Sequence, residues 1–207
     1  FKYKKPKKKE VNGNQVSYFG EKNWQIFKSD LPHQQQPFSK RNWGHKVHSL
    51  CSYQGKLKPS IAHQLVKTFV PKGGRVLDPF SGVGTIPFEA ALNGMQSYGI
   101  DISVPAYYIS CAKVSSHSRE TCFQYIDELK RFIMSQRCSE QELAEVRSFG
   151  FNKKLFEYYE ENTLHELILA RRFVRKNYPK NPSEMMVVSS LLHILHGNRP
   201  YALSRRS

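Results

Sequence analysis

RVLDPFSGVGTIPFEAALNGMQSYGIDIS, residues 75–103, reads as a strand, a glycine loop, a helix and a second strand in quick succession. Val76 and Leu77 form a short apolar run that stops at Asp78. Gly82 and Gly84 then permit a tight turn that residues carrying a β-carbon resist. From Ile86 to Leu92 the pattern turns helical, rich in good helix formers, and Gly94 punctuates its end. Tyr98 to Ile102 is a second β-prone run carrying one acidic residue, Asp101. A strand, a glycine loop opening a helix, and a carboxylate after the next strand make up a nucleoside-binding βαβ half.

Two common nucleotide loops are excluded by single residues. The dinucleotide fingerprint requires a third glycine where Pro87 stands, and the phosphate loop of nucleotide hydrolases requires Lys after the second glycine, where Thr85 stands. What remains, Asp-Pro-Phe-x-Gly-x-Gly-Thr at residues 78–85, closely resembles the S-adenosyl-L-methionine loop of class I methyltransferases, in the form used by enzymes that methylate amino groups of nucleic acids. The resemblance implies an α/β, Rossmann-like fold and assigns Asp78, Pro79, Phe80, Gly82, Gly84, Thr85, Asp101 and Ile102 to the cofactor. That ligand carries an ammonium, a carboxylate, a sulfonium and a ribose diol. An anionic Asp78 suits the ammonium, loop amides at a helix start suit the carboxylate, and Asp101 suits the ribose hydroxyls.

The likeness extends upstream. His48-x-x-x-x-Tyr53-x-Gly55-Lys56-x-x-Pro59, followed by an amphipathic helix with Ile61, Ala62, Leu65, Val66 and Phe69 on one stripe, is similar to DNA adenine or cytosine amino-methyltransferases that place the cofactor motifs before the catalytic one. In that family this segment packs against the methionine end of the cofactor, which makes Tyr53, Lys56 and Pro59 cofactor contacts by resemblance, alongside the plain alternatives of a core tyrosine and a solvated lysine. After Asp101, Pro105 to Lys113 continues as a helix, as the family pattern has it. His48-x-x-Cys51 has half the spacing of a metal site, but no partner pair follows and no metal is expected.

Charge is distributed unevenly over the 207 residues. Residues 1–75 hold 16 Lys/Arg against 3 Asp/Glu, while residues 76–207 hold 16 against 14, so the net charge of +15 belongs mostly to one third of the chain. Such a concentration favours a polyanion partner, which the resemblance implies is DNA. FKYKKPKKKE at residues 1–10 is either a solvated tail or an electrostatic arm on phosphates. Residues 11–47 read as loop, with aromatics interleaved among basic residues. These rings either stack on bases or anchor the arm to the core, the second being favoured for Trp24 and Trp43. The division expected is an arm at 1–46, a cofactor-binding βαβ region at 47–115 and a helical region at 116–207. Cys51, Cys111, Cys122 and Cys138 lack paired spacing, as reduced thiols in a cytoplasmic protein would. No apolar run is long enough to span a membrane.

The remainder is helical in style, a large insertion after the second strand. Cys122, Tyr125, Ile126, Leu129, Phe132 and Ile133 recur at helical spacing. Ser139 with Glu142, and Thr163 with Glu166, read as capping boxes, and Ser183 reads as a helix cap. Arg171, Arg172, Arg175 and Lys176 share a helix and read first as a solvated face.

Enzymes of this type grip the target amine with Asp, Asn or Ser followed by Pro-Pro and Tyr or Phe, which holds the amine in line with the methyl group and stacks the flipped base. No Pro-Pro occurs in the chain, and Asn198-Arg199-Pro200-Tyr201 carries Arg where the first proline belongs. No catalytic residue is therefore assigned. With two secure strands, the sheet is expected to be incomplete, the missing part lying downstream or on a second polypeptide, and this chain alone is expected to be inactive. The function implied is the cofactor-binding part of a DNA methyltransferase acting on an exocyclic amine, in a restriction–modification setting. The alternatives are an RNA guanine amino-methyltransferase, whose glycine loop also resembles GTIPFEAAL, and a non-catalytic nucleic-acid-binding subunit.

Overall fold

A computed structural model describes residues 13–40, 43–148 and 159–197. In chain order the helices are α1 (Gly13–Asp30), α2 (Pro59–Phe69), α3 (Thr85–Leu92), α4 (Val104–Val114), α5 (Arg119–Ser135), α6 (Glu140–Arg147), α7 (Glu161–Lys176) and α8 (Pro182–Gly197). The strands are β1 (Arg75–Asp78) and β2 (Gln96–Gly99), and a short 3-10 turn spans Lys46–Ser49. Among the described residues the chain is mostly helical around one small parallel sheet, in which Arg75 pairs with Gln96 and Asp78 with Gly99.

The βαβ unit forms as its sequence dictates. Gly94, at φ +71°, ends α3, and Ser103 caps α4 by accepting from the Ala106 amide. Pro59 and Pro105 stand in the first turns of α2 and α4, where a missing N–H costs nothing. One side of the sheet is covered by α3, and Ala62 and Val66 of α2 are buried, with α2 lying against α3. The other side is bare: Leu77 and its register partner Tyr98 are 64% and 57% exposed, and Ile100 and Ile102 continue that apolar surface.

The helical region has its own core. Tyr108, Tyr125, Phe173, Met185, Val187 and Val188 pack together, joining α4, α5, α7 and α8. Val146, Leu164 and Ile168 bring α6 onto α7. The stripe read on α5 lies largely where periodicity places it, with Tyr125 buried, Leu129 and Phe132 against this core and Ile126 turned outward.

Four local expectations are corrected. Residues 13–30 are helix rather than loop: Trp24 and Phe27 stack at 5.9 Å and both rings meet Phe69 of α2, so tertiary packing overrides glycine-rich, polar local signals. Ser139 and Glu142 do form a capping box, but Thr163 and Glu166 do not. Glu160, one turn earlier, accepts from the Thr163 amide and starts α7 there. Ser183 does not cap α8. Asn181 accepts from the Glu184 amide, while the Ser183 hydroxyl accepts from the Ser118 amide and ties α8 to the start of α5. The second strand runs Gln96–Gly99 rather than Tyr98–Ile102, because its register is set by Arg75 opposite Gln96. The basic face of α7 is largely exposed, as foreseen, with Arg171 paired to Glu145 and Arg172 to Glu142. Residues 1–12 and Asn198–Tyr201 lie outside the described residues.

Candidate cofactor site

Asp78 ends β1, and its carboxylate accepts from the Phe80 amide at 3.1 Å, bending the chain into the glycine loop. Ser81 donates to Ile100 O and Ile100 donates to Asp78 O, so the loop and the segment after β2 continue the ladder beyond the strands. Gly82 and Gly84 have φ of +50° and +71°. Gly84 carries the stricter demand, because a β-carbon there would run into the Ser110 side chain of α4, with Ser110 Cβ only 2.9 Å away. The close approach lets the loop settle on α4 and delivers it into the start of α3. There the first-turn amides of Thr85 and Ile86 have no intrahelical acceptor, as at any helix start.

Asp101 stands after β2 with both carboxylate oxygens engaged by backbone: Oδ2 accepts from Gly82 N and Oδ1 from Ser103 N, each at 2.8 Å. It is therefore a brace between the glycine loop and the start of α4. Each oxygen retains acceptor capacity for a further hydroxyl. Beside it the Ile102 side chain is fully exposed.

A cavity of about 220 Å³ opens over the loop, lined by Tyr53, Gly55, Lys56 and Leu57 on one wall and by Asp78, Phe80–Val83, Thr85 and Ile86 on the other. Six of the residues named from sequence thus share one cavity: Tyr53, Lys56, Asp78, Phe80, Gly82 and Thr85. Five do not line it. Pro79 and Ile102 lie outside its lining, Pro59 starts α2, Gly84 sits against α4, and Asp101 braces from the side. Tyr53 lines the cavity and also packs on the buried cluster of Cys51, Val83, Ala106 and Ile109. Lys56 is not a free solvated lysine: its Nζ donates to His48 O at 2.7 Å, and burial lowers its pKa despite the nearby Cys51 thiol.

Two buried charges below the cavity escaped the sequence reading. Lys113, near the end of α4 and 4% exposed, donates its ammonium to Val83 O of the glycine loop at 2.8 Å. Desolvation, aided by the positive charge of Lys56, brings its pKa down to about 8. Glu89, in the middle of α3 and 1% exposed, accepts from His48 Nε2 at 2.7 Å and His63 Nδ1 at 2.9 Å. Burial alone would raise the Glu89 carboxyl, but the two histidine hydrogen bonds hold it below the ordinary carboxylate value. The only signal available was an acidic residue inside the otherwise uncharged TIPFEAAL helix. The Nε2 of His48, considered for a metal half-site with Cys51, is engaged by Glu89, and the Cys51 thiol donates to Ser52 O.

Comparison with known proteins places the chain in a family. Residues 1–112 match the family described as DNA methylase, of the N6/N4 type. The Type II methyltransferase M.MjaII of Methanocaldococcus jannaschii is 25% identical over 160 residues, which cover 67% of this chain and 30% of that protein. The chain thus spans about a third of the length of this relative. No solved structure matches. With more than half of its length matched, and the glycine loop and its upstream wall inside the matched part, the chain belongs to the N6/N4 DNA methylase family.

Proposed function

We propose that this chain is the methyl-donor-binding part of a DNA methyltransferase that modifies an exocyclic amine of adenine or cytosine, with S-adenosyl-L-methionine as donor. The observation that carries the reading is the shared cavity: two stretches more than twenty residues apart, Tyr53–Leu57 and Asp78–Ile86, face one another across it. The donor set fits the methionine end of the ligand. Asp78 offers a carboxylate to an ammonium, and the Thr85 and Ile86 amides offer donors to a carboxylate at a helix start. The cavity is smaller than the about 300–1,000 Å³ usual for a whole drug-sized ligand, so its residues would hold the methionine end of the cofactor, and Asp101, outside the cavity, would offer its carboxylate to the ribose hydroxyls. When bound, the cofactor supplies an electrophilic methyl group. The chain's own residues orient it, and the glycine loop is kept in shape by Lys113 and Asp101.

The rest of the reaction needs a base-gripping motif and more sheet. Further parallel strands would pair along the open edges of β1 and β2, and their crossover helices would cover the bare face, because parallel sheets are normally covered by helices on both faces. Those strands come from further chain or from a second polypeptide. The basic N-terminal third gives DNA an electrostatic footing. The N-terminal arm, the βαβ region and the helical region are the working division, with Trp24, Phe38 and Trp43 packed as anchors rather than as base-stacking rings. An RNA guanine amino-methyltransferase is the weaker reading, since the matched family and the relative are both described as DNA or Type II enzymes.

Calorimetric titration with S-adenosylhomocysteine tests the donor site. Saturable binding is expected, weakened in Asp78→Ala by about 1.5–3 kcal/mol for loss of a hydrogen bond to a charged group. Undiminished binding in that variant would remove Asp78 from the site.

A further inference from the structure

The wall of the cavity formed by Tyr53–Leu57 belongs to no regular element, yet it must keep its distance from the glycine loop if the cavity is to hold its shape. Its anchorage can be traced atom by atom. Lys56 Nζ donates to the backbone oxygen of His48 at 2.7 Å. The His48 ring, 3% exposed, reaches Glu89 Oε1 at 2.7 Å through Nε2. Glu89 sits on α3, whose first turn, Thr85–Ile86, is the opposite wall. An ionised carboxylate only accepts, so His48 carries its proton on Nε2 and His63 on Nδ1. The second oxygen of Glu89 is held by His63 of α2, which is in turn packed between Phe38 and Trp43. Phe88, the neighbour of Glu89, meets the His48 and His45 rings edge-on at 4.9 and 5.5 Å.

We infer that Glu89 is a positioning residue for the cofactor cavity, clamping the wall at Tyr53–Leu57 to α3 through His48 and Lys56, although Glu89 lines no part of the cavity itself. The inference rests on the reading of that cavity as the donor site. Two facts separate a clamp from ordinary core packing. A buried carboxylate satisfied by two rings from two different segments is a costly arrangement that an apolar residue would replace at less expense were only stability required. And the His48–Lys56 link leads directly to a side chain on the cavity wall rather than deeper into the core. Nδ1 of His48 is buried with no hydrogen-bond partner among the described residues, so the bond to Glu89 is the ring's one polar anchor there, beside its packing on Phe88.

The experiment compares wild type, His48→Ala, His48→Gln, Lys56→Met, Glu89→Gln and the Lys56→Met/Glu89→Gln double variant. The two readouts are S-adenosylhomocysteine affinity and ligand-free amide exchange over residues 46–58. His48→Ala and Glu89→Gln are expected to weaken affinity about tenfold, the scale of a lost hydrogen bond to a charged group, and to speed exchange in 46–58 while leaving β2 and α4 unchanged. His48→Gln, whose amide nitrogen can occupy the Nε2 position, should restore both. Adding Glu89→Gln to Lys56→Met should cost little further affinity, since both break one chain of contacts. If wild type binds and His48→Ala or Glu89→Gln binds equally well, the clamp is wrong and the donor site stands. If wild type does not bind, the donor reading fails, and the exchange data still decide whether Glu89 holds the wall. Unchanged exchange in every variant would overturn the clamp, as would additive losses in the double variant. Should Glu89→Gln fail to fold, the two His48 variants decide the matter alone.

Discussion

Gly84 and Gly82 look alike in sequence but meet different surroundings. Both hold positive φ, which costs a residue with a β-carbon about 1–2 kcal/mol, but only Gly84 is pressed against Ser110, whereas nothing lies within 4 Å of a β-carbon at Gly82. Gly82→Ala should therefore destabilise the chain by about that backbone cost and Gly84→Ala by at least twice as much, read from urea denaturation. Equal losses would contradict the docking of the loop on α4. Lys113 gives a pH-dependent test at the same scale. Its folded pKa, about 8, lies below the ordinary 10.5, so the unfolded chain binds more protons between those values and Lys113 makes stability rise with pH across that window. Lys113→Met should lose this rise, giving a flatter profile from pH 8 to 10.5 than wild type, and an unchanged profile would place the ammonium in solvent. Asp78, the two glycines and Asp101 were legible because turn geometry and ligand chemistry prescribe residue types. Glu89 and Lys113 were not, since nothing in a single chain tells which charged residue of a helix will turn inward and find a partner.

At the scale of elements, spacing placed α2, α3 and α4 within a residue or two and the α5 stripe inside its helix, and proline marked the starts of α2 and α4. The failures were those of local signals outweighed by packing. Helix α1 contains Gly13 and Gly20 and a polar composition, yet Phe27 is buried to 7% exposure against Phe69 and His33. Phe27→Ala should cost about 3–5 kcal/mol, as for a buried aromatic, and Trp24→Ala less, because Trp24 is 46% exposed. Thermal unfolding checks the pair. A loss under 1 kcal/mol for Phe27 would mean that α1 does not rest on α2. The two capping errors have one cause. A hydroxyl residue near the start of an apolar stripe fits several frames, and only the packed helix selects Glu160 and Asn181.

For the whole molecule, family membership and the βαβ unit were readable from about thirty residues, whereas the arrangement of the helical region was not. Its helices were visible as stripes, but which stripe meets which depends on contacts far apart in sequence, such as the Tyr125 hydroxyl donating to Asn177 O at 3.0 Å across 52 residues. The uncovered sheet face could be foreseen from the number of strands; its composition, with Leu77, Tyr98, Ile100 and Ile102 all exposed, makes it an apolar surface that a longer protein would cover. No helix among the described residues is long and apolar enough to cross a membrane. The central claim is that two separate stretches close on one methyl-donor site. Amide exchange measured with and without S-adenosylhomocysteine tests it most directly: added ligand should slow exchange at both residues 53–57 and residues 78–86, whereas protection of only one stretch, or of neither, would contradict the account.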